Sequence, residues 1–262
     1  MTLAHIINPV RVEPTSDLFL AQPITFESMR RAREFASAEV QVEIFSAHYP
    51  EDASMMPEGF IATPHLERSI LDFGKFTERR KLPLMREIGE RLYEASRADY
   101  FIYTNADIAL MPGFYLAVRR LIEQGYDAFV INRRTITRDF TTPADLPLMY
   151  AQIGEPHPGH DCFVWRREVF PRFRLENICV GTIGIGKAII LNQLCTSRNF
   201  RESTDLHLTF HLGADRVWLN PSLADYRAFN LGELRKIVSY HREHGTLPDH
   251  PLVARFTSNL RV

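Results

Sequence analysis

The sequence predicts an α/β domain built on a mainly parallel, doubly wound mixed sheet. Runs rich in β-branched and aromatic residues, such as "LAHIINPV" and "VQVEIFSAHY", alternate with stretches of helical spacing such as "ITFESMRRAREFA". The connecting stretches run to about a dozen residues, the length that a crossover between parallel strands requires. The run "YFIYTNAD" is apolar almost to its end, as a strand covered on both faces should be.

The elements follow in order. Leu3 to Val10, a helix over 24–36 and Val40 to Tyr49 make a β-α-β opening. "LPLMREIGERLYEAS" places Leu82, Leu84, Met85, Ile88 and Leu92 on one helical face and leads into the strand from Tyr100. Pro112 opens the next helix, where a missing N–H costs little, and Gly125 suits its C-terminal cap. The strand "DAFVINRRTI" follows. Beyond Pro143 and Pro147 the reading is a loop "GEPHPGH", a strand "DCFVWRREVF", a helix "GKAIILNQLC", a strand "HLTFHLG" and a late helix "LGELRKIVSYHREHG". No repeat or low-complexity linker divides the chain, so a single domain over 1–262 is expected, with a break near Thr141 to Leu148 as the alternative.

Bulk composition excludes several classes. The chain has 262 residues, 45% of them hydrophobic and 24% charged, which is ordinary globular usage and argues against disorder and coiled coil. The 31 basic and 32 acidic residues nearly cancel, so a protein held mainly by nucleic-acid phosphates is not expected. Cys162, Cys179 and Cys195 lack the spacing of a zinc site or a disulfide framework. The first residues lack a signal-peptide pattern, and no apolar run of about 18 residues occurs. A soluble, cytoplasmic protein with no integral membrane segment is the expectation.

Asp107 raises the functional question, because it stands with Asn105 at the carboxyl end of a buried strand, where ligands of open α/β sheets bind. Its ordinary reading is a helix cap or turn. The functional reading is a pair of hard oxygen ligands for Mg²⁺ or Mn²⁺ against a diphosphate. Arg133 and Arg134 follow a strand and suit bidentate contact with phosphate or a sugar carboxylate, with a solvated arginine and an internal ion pair as the alternative. His157, His160 and Asp161 crowd into five residues, but Pro158 and Gly159 rule out the helical presentation of the usual two-histidine hydrolase motif. Gly181, Gly184 and Gly186 precede a helix without the spacing of a P-loop, and Ala188 follows Lys187 where that loop has Ser or Thr.

"YFIYTNADIALMPGFY" resembles the Asp-x-Asp region of GT-A-type glycosyltransferases, which bind a nucleotide diphosphate-sugar through a divalent metal. The resemblance covers roughly Tyr100 to Trp218 and implies a GT-A-like domain, its nucleotide-binding part over about 1–140 and its acceptor and metal-completing part over about 141–262. By it Asp107 is a metal ligand, with Asn105 in place of the usual first acid. In "HLTFHLGADRVW", His211, Gly213, Arg216 and Trp218 resemble the late segment that completes the metal site, which makes His211 a second ligand and Arg216 the group that neutralises the leaving diphosphate. Asp161 resembles the acid facing donor sugar and acceptor, and Asn8 a nucleobase contact. Lys187 stands where inverting members carry the base that activates the acceptor, so the resemblance leans toward a retaining enzyme. The implied partners are a nucleotide diphosphate-sugar and a hydroxyl acceptor, whether glycan, lipid or small molecule. A nucleotidyltransferase making nucleotide-sugars is the rival enzyme, although "INPVRVEPTSD" lacks its Gly-rich loop. A non-catalytic sugar-nucleotide or glycan-binding protein is the rival outside catalysis.

Overall fold

The computed structural model describes residues 1–204, 206–213 and 220–258. The strands, all within these residues, are β1 (Thr2–Ile7), β2 (Gln41–Ser46), β3 (Ile61–Ala62), β4 (Tyr100–Thr104), β5 (Ala109–Leu110), β6 (Ala128–Ile136), β7 (Glu155–Arg166), β8 (Phe200–Ser203) and β9 (Thr209–Leu212). They form one sheet in the order β3-β2-β1-β4-β7-β6-β9-β5, with β8 also on β6. β1, β2, β3 and β4 pair parallel, β7 runs antiparallel between β4 and β6, and β5 runs antiparallel to β9. The sheet is therefore mixed and mainly parallel, as expected. The far edge of β6 is shared: β8 pairs its first half and β9 its last three residues, both parallel.

The helices are α1 (Asp17–Ala36), α2 (Met85–Ala95), α3 (Phe114–Glu123), α4 (Leu146–Tyr150), α5 (Ile185–Thr196), α6 (Ala224–Glu243) and α7 (Pro251–Thr257). Side-chain alternation on the strands explains the double winding. Ala4, Phe101, Tyr103, Val130, Phe163 and Trp165 face one core with Ile88 of α2, Ile189 of α5 and Ile237 of α6. Leu3, Ile102, Phe129, Ile131 and Val164 face the other, with Met29 of α1 and Val118 of α3.

Three sequence expectations are corrected. The helix expected over 24–36 begins at Asp17 and carries Pro23 within its second turn, beyond the first four N–H groups, so α1 forgoes one internal hydrogen bond there. The stretch "GEPHPGH" is not a loop but the first half of β7, and the strand ends at Arg166, after which Arg167–Arg172 coil into a 3₁₀ turn. Pro156 and Pro158 hid this strand, because proline is expected only at strand edges and irregularities. Irregularity is what the register shows. Ile131 pairs Cys162 and Asn132 pairs His160, leaving Asp161 as an extra residue, and a second shift before Arg134↔Pro156 bulges out 157–159.

The three cysteines are unpaired. Among the described residues no helix is long and apolar enough to cross a membrane.

Candidate active site

The carboxyl ends of β4, β6 and β9 lie at one edge of the sheet, joined there by the start of β7. β4 ends at Thr104, and Asn105 to Ile108 turn the chain into β5. β5 then pairs β9, Ala109 opposite Phe210, so Asp107 and His211 meet although 104 positions separate them. Ser28 of α1 fixes the turn's exit by accepting the Leu110 N–H.

The contact between the two side chains is chemically specific. His211 Nδ1 lies 2.8 Å from the Gly213 carbonyl oxygen, which only accepts, so this nitrogen carries a proton. In the neutral ring Nε2 is then a bare lone pair, and it faces Asp107 Oδ2 at 3.3 Å. Two acceptors so close require a proton or a cation between or beside them. A histidine bound to metal through one nitrogen commonly donates its other N–H to a backbone carbonyl, as His211 does. Asp107 Oδ1, moreover, is buried with no hydrogen-bond partner among the described residues. An orphaned carboxylate oxygen and an imidazole lone pair side by side fit a divalent cation. Among the described residues no group of three or more His, Cys, Asp or Glu side chains converges, so the remaining ligands of such an ion would be substrate oxygens and water. Burial pushes the Asp107 carboxyl up, but with a proton on Nε2 in place of a metal the His211 hydrogen bond and charge, with the Arg133 charge, outweigh it and hold the group below its ordinary value.

The β6–β7 bulges supply further groups near this end of the sheet. Arg133 is 5% exposed, and its Nη1 donates to Asp161 Oδ2 at 2.9 Å. The bulge at Asp161 turns that carboxylate toward the site. Tyr103 lies between the elements, its hydroxyl donating to Asn105 Oδ1 at 3.0 Å, and burial, with the charges of Asp107 and Asp161, raises its pKa. Asn105 is thereby held by the neighbouring strand residue, with its amide nitrogen left for other contacts.

The other sequence-predicted residues make contacts of their own. Arg134, next to Arg133 on β6, turns to the carbonyl oxygens of Ile153 and Gly154. Asn8 ties the end of β1 to that of β2 by donating to the Ala47 carbonyl at 2.7 Å. Lys187 sits in the first turn of α5, its ammonium 5.7 Å from the Phe256 ring, and burial and then Arg255 lower its pKa. Arg216 and Trp218 lie outside the described residues. The structure thus brings together Asn105, Asp107, Arg133, Asp161 and His211.

Sequence reasoning does not assign Tyr103 or Asn132 to the site, and it weighs His157 only as part of a hydrolase motif. Tyr103 reads as core from its strand position. His157 stands out in the sequence only by its Pro and Gly neighbours. Cavities of about 390 and 440 Å³ open at the opposite end of the strands, around Asp127 and Arg198 and around Met1 and Arg97. No comparable chemistry converges there: Asp127 is occupied by the backbone N–H groups of Arg198 and Asn199.

No family model and no curated protein matches the chain. Among solved structures, Staphylococcus aureus TarS (residues 1–349) in complex with UDP-GlcNAc is similar over 92% of this chain and 72% of its own, at 8% identity and a TM-score of 0.48. Glucosyl-3-phosphoglycerate synthase from Mycobacterium tuberculosis, in complex with Mn²⁺, UDP and phosphoglyceric acid, is similar over 95% of this chain and 80% of its own, at 12% identity and a TM-score of 0.48. At that distance the likeness is one of chain course, and the chemistry rests on the side chains described above.

Proposed function

We propose that this chain is a divalent-metal-dependent glycosyltransferase, moving a sugar from a nucleoside diphosphate-sugar to an acceptor hydroxyl with retention at the anomeric carbon. The observation that carries the reading is the Asp107–His211 pair, an orphaned carboxylate oxygen beside an imidazole nitrogen whose partner nitrogen is already committed to the Gly213 carbonyl. Asp107 and His211 would hold Mn²⁺ or Mg²⁺, and such an ion supplies neutralisation of the charge that develops on a departing diphosphate.

The protein's own groups would do the rest. Arg133, buried and held by Asp161, presents a fixed positive charge at the same edge, and such preorganised charge acts most strongly where charge develops in the transition state. Asn105, steadied by Tyr103, offers its amide N–H groups to a donor hydroxyl. The lean to retention is supported by what surrounds the acceptor side. Asp161 is engaged by Arg133, and the first turn of α5 presents Lys187 in place of a carboxylate. In a retaining transfer the bond from the anomeric carbon to the β-phosphate oxygen breaks as the bond to the acceptor oxygen forms on the same face. The acceptor's proton passes to the released phosphate oxygen. No protein carboxylate is needed as base. Arg216 belongs to this reading as a further charge on the diphosphate, and cytoplasmic residence agrees with three unpaired cysteines.

The test is calorimetry with a panel of nucleoside diphosphate-sugars with and without Mn²⁺, followed by transfer assays that read the anomer of the product. Metal-dependent binding of one donor and its loss in Asp107→Ala are expected. Donor binding that ignores both metal and Asp107 would overturn the reading. Lys187 in place of an acid also favours one second reading, a sugar-nucleotide-binding protein without transfer, which the same assays would reveal as binding with no product across many acceptors.

A further inference from the structure

We propose that His157 is a second donor beside Arg133, so that the two side chains grip one oxygen of the β-phosphate of the leaving diphosphate; this rests on the transferase reading above. The Gly159 backbone N–H donates to His157 Nδ1 at 2.9 Å, which makes Nδ1 the lone pair and places the ring proton on Nε2. Nε2 in turn lies 3.4 Å from Arg133 Nη2. Both atoms are donors, so neither satisfies the other. Two N–H groups held side by side are satisfied together by one shared acceptor, and beside a guanidinium an anionic oxygen is the fitting class.

His5 is fully buried and satisfies both ring nitrogens, one with the Tyr115 hydroxyl and one with the Thr104 hydroxyl, each at 2.9 Å. His157 satisfies one. Arg133 is likewise incomplete, since its Nε is buried without a partner among the described residues. A buried donor left idle, as Arg133 Nε is, is uncommon and invites a missing ligand.

The position is also built. Asn132 Nδ2 donates to the His157 carbonyl at 3.3 Å and holds the bulge. A β-carbon on Gly159 would lie 2.6 Å from His157 Cε1 and 2.9 Å from Nδ1, so the ring keeps its place only beside glycine. Burial and the Arg133 charge lower the His157 pKa, with Asp161 opposing, so at neutral pH the ring donates as a neutral group.

The experiment is calorimetry of the full chain with Mn²⁺ and five nucleoside diphosphates (of uridine, guanosine, adenosine, cytidine and thymidine), their monophosphates and inorganic pyrophosphate. Wild type is compared with His157→Phe, His157→Gln and Gly159→Ala. For the diphosphate that wild type binds best, His157→Phe and Gly159→Ala should lose roughly 10- to 100-fold in affinity, the range for a hydrogen bond to a charged group. His157→Gln, which keeps an N–H, should recover part of it, and monophosphate affinity should not change. Equal losses for mono- and diphosphate, or an unchanged diphosphate affinity in His157→Phe, would overturn the proposal. If wild type binds pyrophosphate but no nucleotide, and His157→Phe loses that binding, the anion grip stands while the donor reading falls. Binding of neither nucleotide nor pyrophosphate by wild type would overturn both.

Discussion

The Nε2 atom of His211 lies 3.3 Å from Oδ2 of Asp107, while the ring's other nitrogen is held by the Gly213 carbonyl at 2.8 Å. A proton and a metal ion therefore compete for the same lone pair. Mn²⁺ affinity should fall as the pH is lowered, and metal binding should release protons, both readable by calorimetry in buffers of different ionisation enthalpy. Substituting Asp107→Ala or His211→Ala should weaken Mn²⁺-dependent donor binding by on the order of 100-fold or more, since loss of mere supporting groups already costs ten- to a hundredfold. Far-ultraviolet circular dichroism should stay that of wild type. A pH-independent affinity for Mn²⁺ would remove the pair from metal binding.

Arg133 and Asp161 form the buried ion pair of the site, with side chains 5% and 13% exposed. Removing one partner of such a pair strands the other charge in a poor solvent. Asp161→Ala should destabilise the fold by about 3–5 kcal/mol, and Asp161→Asn by less because it keeps a hydrogen-bond acceptor. Urea unfolding of the three proteins reads this directly. Equal stability of Asp161→Ala and wild type would mean that water already reaches the pair.

His5 links the folded state to acid. Burial lowers its pKa to about 3 from 6.5, and the side chain stays neutral between Tyr115 and Thr104. Between those values the unfolded chain holds a proton that the folded chain lacks. Stability should therefore fall as the pH drops from 6.5 toward 3, by about 1.36 kcal/mol for each pH unit crossed and no more than about 5 kcal/mol in all. His5→Gln keeps a donor and an acceptor without titrating. Its stability, measured by urea unfolding at about pH 7 and about pH 5, on either side of the ordinary histidine pKa, should fall less over that interval than that of wild type, and parallel curves would remove His5 from the acid response.

Gly89 of α2 lies against Phe170 in the segment after β7. A β-carbon there would meet the Phe170 ring at 2.4 Å. Alanine raises helix propensity, yet overpacking should win, and Gly89→Ala should cost about 1–3 kcal/mol. Chemical denaturation of the variant checks the sign. A stabilised variant would show that the ring moves freely.

The sequence by itself determined the alternation of strands and helices, the apolar strand ending in Asn105 and Asp107, and the late strand carrying His211. These were legible because α2 repeats a helical period and β4 is a continuous apolar run, and both are properties of the chain alone. The meeting of Asp107 with His211 was not legible in that way. It depends on β5 pairing β9, and β5 is two residues long, too short to show any period. The resemblance named both residues as ligands, but only the pairing shows that one imidazole nitrogen is already committed. Arg133 and Asp161 were visible in the sequence, but their meeting with each other and with His157 was decided by tertiary structure. Pro156, Pro158 and Gly159 read locally as a loop, whereas the ladder between β4 and β6 draws the segment into β7 and forces its surplus residues out as bulges. Those bulges place Arg133 against Asp161 and His157. Long-range pairing overrode local preference there because hydrogen bonds on both edges of β7 and burial of Phe163 and Trp165 outweigh the two ladder N–H groups that the prolines lack.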